Sequence, residues 1–118
     1  MATLSTHLLN STDGSHAGHV GIGVFQINSA GQRLCLLDKA TDGAGRFAEA
    51  IELPVDSAAC TYEMVIQSGA YFAAHGLAGA ERQIVKEIVI RFAMPDPAGS
   101  YHIPLMIAPH SYSVWWSA

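Results

Sequence analysis

Histidine is the unusual component of this sequence: six are present, as many as Lys and Arg together. Imidazole is the side chain that changes charge nearest neutral pH, so these residues are the first place to look for chemistry. His7, His102 and Arg46 form one combination with chemical content. One imidazole can take a proton from water, a second can polarise or protonate, and a guanidinium can hold an amide oxygen or the oxyanion developing on it. Those groups suffice for hydrolytic ring opening. His16 and His19 are spaced as HxxH, which on a helix would offer two metal ligands. Gly14, Gly18 and Gly21 around them argue for a loop, so no metal is expected. His75 lies near the end of a helical stretch, where it can favour the dipole, and His110 follows Pro109 in a turn. By spacing alone, His7 and His102 also read as structural strand residues and Arg46 as a surface charge. Other signatures are absent: Gly21-Ile22-Gly23 lacks the third glycine of a dinucleotide loop, and there is no phosphate-binding loop, GxSxG elbow or HExxH. The ten acidic residues are scattered, without a pair suited to glycoside hydrolysis.

The elements that would hold these residues are short. Turn chemistry recurs at Thr12-Asp13-Gly14-Ser15, Asn28-Ser29-Ala30-Gly31, Thr41-Asp42-Gly43-Ala44-Gly45, Pro54-Val55-Asp56-Ser57 and Pro95-Asp96-Pro97-Ala98-Gly99. Between these turns, residues 20–27 and 33–40 read as strands, and Tyr62, Met64 and Ile66 alternate with polar neighbours at a period of two. Residues 68–77 lose the alternation and read as the one helix, with Gly76 as its stop. Residues 84–94 then predict a long strand, and the turn at 95–99 predicts a hairpin into residues 101–107. There Ile103, Leu105 and Ile107 share one face and His102, Pro104 and Met106 the other. A last strand over 111–116 would put Trp115 and Trp116 on opposite faces. Seven or eight strands with one helix describe an all-β, two-sheet sandwich.

The 118 residues, 50% hydrophobic and 14% charged, match one globular domain over 1–118. The formal charge of -4 disfavours a sequence-independent grip on nucleic acid or an acidic membrane. Cys35 and Cys60 form neither a CxxC pair nor a disulfide framework and are expected as free thiols. No signal-peptide pattern or membrane-length apolar run is visible, so the chain is read as cytoplasmic. So many apolar residues with so few charges predict burial between subunits.

Three segments carry a resemblance to a known family. Leu4-Ser5-Thr6-His7-Leu8-Leu9-Asn10 is similar to LSTHVLD, Thr41-Asp42-Gly43-Ala44-Gly45-Arg46 to a T-N-x-D-G-R turn, and Tyr101-His102-Ile103-Pro104-Leu105 to YHVPLL. Gly69-Ala70-Tyr71-Phe72-Ala73-Ala74 is similar to AAYFAA. These are motifs of the transthyretin-like family and specifically of its 5-hydroxyisourate hydrolases of purine breakdown, and they run in order over nearly the whole chain. The resemblance implies a transthyretin-like sandwich assembled as a homotetramer, a dimer of dimers with its sites in the channel between them. It implies catalysis by His7, Arg46 and His102 without metal or organic cofactor. A histidine-activated water would open the cyclic ureide toward 2-oxo-4-hydroxy-4-carboxy-5-ureidoimidazoline.

The tail departs from the pattern. Where the enzymes end Y-G-Y-S-T-Y-R-G-S, this chain ends His110-Ser111-Tyr112-Ser113-Val114-Trp115-Trp116-Ser117-Ala118. Trp115 takes the tyrosine position, Trp116 the arginine position, Ser117 the glycine position and Ala118 the terminal serine position. Asn10 and Ala44 replace aspartates. Tyr112, Trp115, Trp116 and Ser117 are therefore candidate substrate contacts, the indoles offering flat apolar faces in place of a cation; the tryptophans read equally as interface packing. The leading expectation is a hydrolase redirected to a more aromatic or apolar cyclic amide, lactam or lactone of secondary metabolism. The alternatives are a 5-hydroxyisourate hydrolase proper and a non-catalytic small-ligand carrier or structural tetramer.

Overall fold

In a computed structural model, residues 1–76 and 82–117 are described. Two sheets face each other across the core. The first contains β1 (Ala2–Asn10), β4 (Arg46–Ile51), β7 (Ser100–His102), β8 (Leu105–Ile107) and β9 (Tyr112–Val114). Its order is β4-β1-β8-β9, with β7 also on β1. The second contains β2 (Gly21–Ile27), β3 (Arg33–Ala40), β5 (Thr61–Ile66) and β6 (Ile88–Phe92) in the order β3-β2-β5-β6. One helix, α1 (Ser68–Ala74), follows β5. The all-β sandwich with one short helix is as expected, with nine strands among the described residues instead of seven or eight.

The core explains the strand faces. Leu4 and Leu8 of β1, Ile22 and Val24 of β2, Tyr62, Met64 and Ile66 of β5, and Leu105 and Ile107 of β8 are completely buried. Because alternate residues point to opposite faces, Thr3, Ser5, His7 and Leu9 are left on the outer face of the first sheet. Thr6 points inward, and its hydroxyl donates to the Ile103 carbonyl at 2.6 Å, which removes the cost of burying it. The alternation in β1 is thus partly polar on its inner side, which is why composition hid this strand. β4 was hidden similarly, since only Phe47 and Ile51 of its six residues are buried.

Three expectations are corrected. The strand over 84–94 shrinks to Ile88–Phe92 because the preceding chain turns to α1, where Gly69 N–H donates to the Lys86 carbonyl at 3.0 Å. Residues 95–99 do not close a hairpin: β6 pairs with β5, whereas β7 pairs with β1, so this connection crosses between sheets. The Tyr101 hydroxyl accepts from Asp96 N–H at 2.8 Å and pins that crossing. The last strand stops at Val114, so alternation ends before the tryptophans, and both line one cavity. The helix ends near the expected stop, with Gly76 at φ +62°; the residue expected to extend it, Leu77, lies outside the described residues. Cys35 is exposed, Cys60 buried, and both are free.

Candidate active site

Register brings the polar residues together. In the antiparallel β1–β4 pair His7 lies opposite Arg46, and in the parallel β1–β7 pair Ser5 lies opposite His102. Ser5 and His7 are two positions apart on one strand, so four polar side chains from three strands share the outer face. Ladder hydrogen bonds fix this arrangement, and a slip of one residue would turn every group into the core.

Each member has a local hold. Ser5 Oγ and His102 Nδ1 are 2.8 Å apart, which engages one imidazole nitrogen and leaves the other for chemistry. The Asp42 carboxylate accepts from the N–H groups of Ala44 and Arg46, both at 2.9 Å, and closes the turn that launches β4. The hydrogen bond from the Arg46 N–H, more than any other influence, holds Asp42 below the usual carboxylate range. Gly45 sits at φ +74°, and a Cβ there would collide with the Leu8 carbonyl oxygen, so the turn requires glycine. His7 Nε2 lies 3.1 Å from the Ala44 carbonyl oxygen and 3.0 Å from His16 Nδ1. Partial burial, then the neighbouring Arg46 guanidinium and His16, hold the His7 imidazole below the ordinary histidine value. A neutral imidazole beside a fixed cation is suited to accept a proton from water while the cation stabilises developing negative charge.

The structure therefore gathers His7, Arg46 and His102, and adds Ser5 and His16. Ser5 was legible in principle, because position i-2 on a strand shares a face with i; the signal was lost with the strand itself. His16 was weighed with His19 as HxxH: His16 stacks on His7 with ring centroids 5.1 Å apart, and both His16 and His19, the latter at φ +60°, line a cavity with His75, Gln67 and Tyr71. Among the described residues no group of three or more His, Cys, Asp or Glu is arranged to hold a metal ion. His75 closes the helix end, its Nδ1 2.8 Å from the Tyr71 carbonyl oxygen.

The candidate tail contacts divide. Ser117 exchanges backbone hydrogen bonds with His102, at 2.9 and 3.3 Å, and so lies beside the imidazole. Trp115 and Trp116 instead line an apolar cavity of about 440 Å³ with Phe92, Pro95, Tyr101 and Ile103, which includes none of His7, Arg46 and His102. Tyr112 is paired with the inward-facing Ile107 and belongs to the face opposite the histidines.

Fold and geometry together define a two-sheet β-sandwich that gathers His7, Arg46 and His102 on the outer face of one sheet. Comparison with known proteins gives this class a family. The profile of the HIUase/Transthyretin family matches residues 4–116, and the chain belongs to that family. The chain is 30% identical over 116 residues to the 5-hydroxyisourate hydrolase of Pseudomonas aeruginosa, covering 98% of this chain and 90% of the relative. It is 31% identical over 112 residues to that of Mesorhizobium japonicum, covering 95% and 89%. The structure of Klebsiella pneumoniae 5-hydroxyisourate hydrolase superposes with a TM-score of 0.79 at 28% identity, covering 100% of both chains.

Proposed function

We propose that this protein is a 5-hydroxyisourate hydrolase of purine catabolism, acting on the cyclic amide with His7, Arg46 and His102 as its catalytic residues. The observation that carries the reading is the convergence of these three side chains on one sheet face through the His7–Arg46 and Ser5–His102 register pairs. Full-length similarity to enzymes named for that substrate supports it. This reading replaces the redirected, more apolar substrate expected from the tail, because the tryptophans responsible for that expectation line a separate cavity.

His7, neutral and held beside Arg46, takes a proton as water adds to the ring carbonyl. Arg46 holds the resulting oxyanion, and collapse breaks the carbon–nitrogen bond as an imidazolium returns a proton to the departing nitrogen. His102, oriented by Ser5, faces the same space and serves as the second proton carrier. Ser117 lies within reach of the bound ring through its pairing with His102. The proposal includes a homotetramer, supported by the exposed Met106, Val114, Trp115 and Trp116.

The test is the rate of disappearance of freshly generated 5-hydroxyisourate with wild type, His7→Ala and His102→Ala. Acceleration over buffer in the wild type, lost in both variants, is expected. No acceleration by the wild type would overturn the reading. A second reading, a carrier of small apolar ligands, is favoured by the tryptophan-lined cavity alone, and tight ligand binding without turnover would select it.

A further inference from the structure

His16 does not arrive beside His7 by accident of a loose loop. Residues 11–17 fold back along β1: the Asn10 carbonyl accepts from Gly14 N–H at 2.8 Å, and Ala17 N–H donates to the Leu8 carbonyl at 2.9 Å. Leu9 and His16 form an antiparallel bridge, so His16 faces outward on the same side as Leu9 and His7. Asn10 Oδ1 accepts from Thr12 N–H and hydroxyl at 3.0 and 2.6 Å, and Asp13 Oδ1 accepts from Ser15 N–H at 2.9 Å, which fixes the turn of the strap.

The contact also constrains where protons reside. A carbonyl oxygen only accepts, so the 3.1 Å contact with Ala44 O places a hydrogen on His7 Nε2. His16 Nδ1, 3.0 Å from that same nitrogen, then accepts a share of the same N–H and carries its own hydrogen on Nε2. His7 Nδ1 is left with the lone pair. The charged or titratable groups facing His7 are Arg46 from β4, His102 from β7 and His16 from the strap.

We propose that His16 is a positioning residue for His7: together with the Ala44 carbonyl it locks the Nε2–H tautomer and ring plane, making Nδ1 the proton-accepting atom. When His7 gains its proton, the Nε2–H bond to the Ala44 carbonyl becomes charge-assisted and favours the imidazolium, while His16 keeps the ring plane. The catalytic consequence rests on the hydrolase reading above, but the tautomer does not.

The experiment uses the full chain as wild type, His16→Ala and His16→Asn, since an Asn carbonyl can accept near the Nδ1 position. Long-range ¹⁵N–¹H spectra of the histidine side chains read the tautomer without substrate. We expect His7 as Nε2–H in the wild type, a tautomer mixture in His16→Ala, and recovery in His16→Asn. With 5-hydroxyisourate, His16→Ala should lower kcat about tenfold and leave KM within about twofold, with kcat restored by Asn. Nδ1–H His7 in the wild type, or unchanged His7 resonances in His16→Ala, would overturn the proposal. If the Ala variant fails to fold, the wild-type and Asn spectra decide. A wild type that shows the expected tautomer but does not turn over 5-hydroxyisourate rejects the hydrolase reading and leaves the tautomer assignment standing.

Discussion

The histidine face and the tryptophan cavity are built by opposite means on one sandwich. His7, Arg46 and His102 stand on strands whose register is set by backbone pairing, and each is held further by a side chain or turn contact. Trp115 and Trp116 lie beyond the last strand and are 45% and 63% exposed, held chiefly by apolar contact at the open edge between the sheets. The first region specifies atom positions, as proton transfer demands. The second specifies only apolar area, and such a region tolerates exchange of side chains. A change at Trp115 or Trp116 is therefore expected to be large in chemical type and small in catalytic effect.

The sharpest way to break this contrast is to remove an imidazole. His7→Ala or His102→Ala should lower kcat/KM by about 10²–10⁴-fold, read as initial rates, while thermal melting changes little because both side chains face outward. A loss below tenfold in both would dissolve the distinction between the regions. Gly45→Ala comes next. The collision with Leu8 and the positive φ should cost about 1–3 kcal/mol of stability in urea titration. Displacement of the Ala44 carbonyl and Arg46 should lower turnover as well, because the turn serves both.

A smaller effect is expected from pH. Because partial burial and Arg46 favour neutral His7, the acid limb of kcat/KM should fall below the ordinary histidine value of about 6.5. Arg46→Gln should move that limb part of the way back up, burial being unchanged. Between its lowered folded value and about 6.5, the folded protein binds fewer protons at His7 than the unfolded chain. The contribution of His7 is thus present above that window and lost as pH falls through it. The smallest effect is assigned to the cavity: Trp116→Ala should change kcat/KM on 5-hydroxyisourate by less than about twofold, while weakening the binding of an apolar fluorescent dye. A larger catalytic loss would mean that the tail enters the histidine site in the assembled protein.

Much of the sandwich was legible because turn residues and alternation mark β2, β3 and β5 directly. The strand that matters most, β1, was not read from its pattern, since Thr6 points inward and Leu9 outward, and the Thr6–Ile103 hydrogen bond that satisfies the buried hydroxyl is made only in the folded chain. The pairing of β7 was also hidden: alternation in residues 101–107 is the same whether the neighbour is β6 or β1. His7, Arg46 and His102 stood out through motif resemblance, not through spacing. Ser5 and His16 did not, because their value lies in where β1 and its strap put them. The tryptophans were conspicuous by type, yet their location depends on β9 ending at Val114.

The parallel pairing of β1 with β7 also sets an order of assembly. Ser5 and His102 touch across 97 positions of sequence. On a growing chain, β1 is made first and can pair with β4 once residue 51 has emerged, and the whole second sheet can close by residue 92. The partner of Ser5 arrives only afterwards. Contacts this distant in sequence form slowly, so a nascent protein passes through a stage in which most of the hydrophobic core is assembled and the Ser5–His102 pair is still missing.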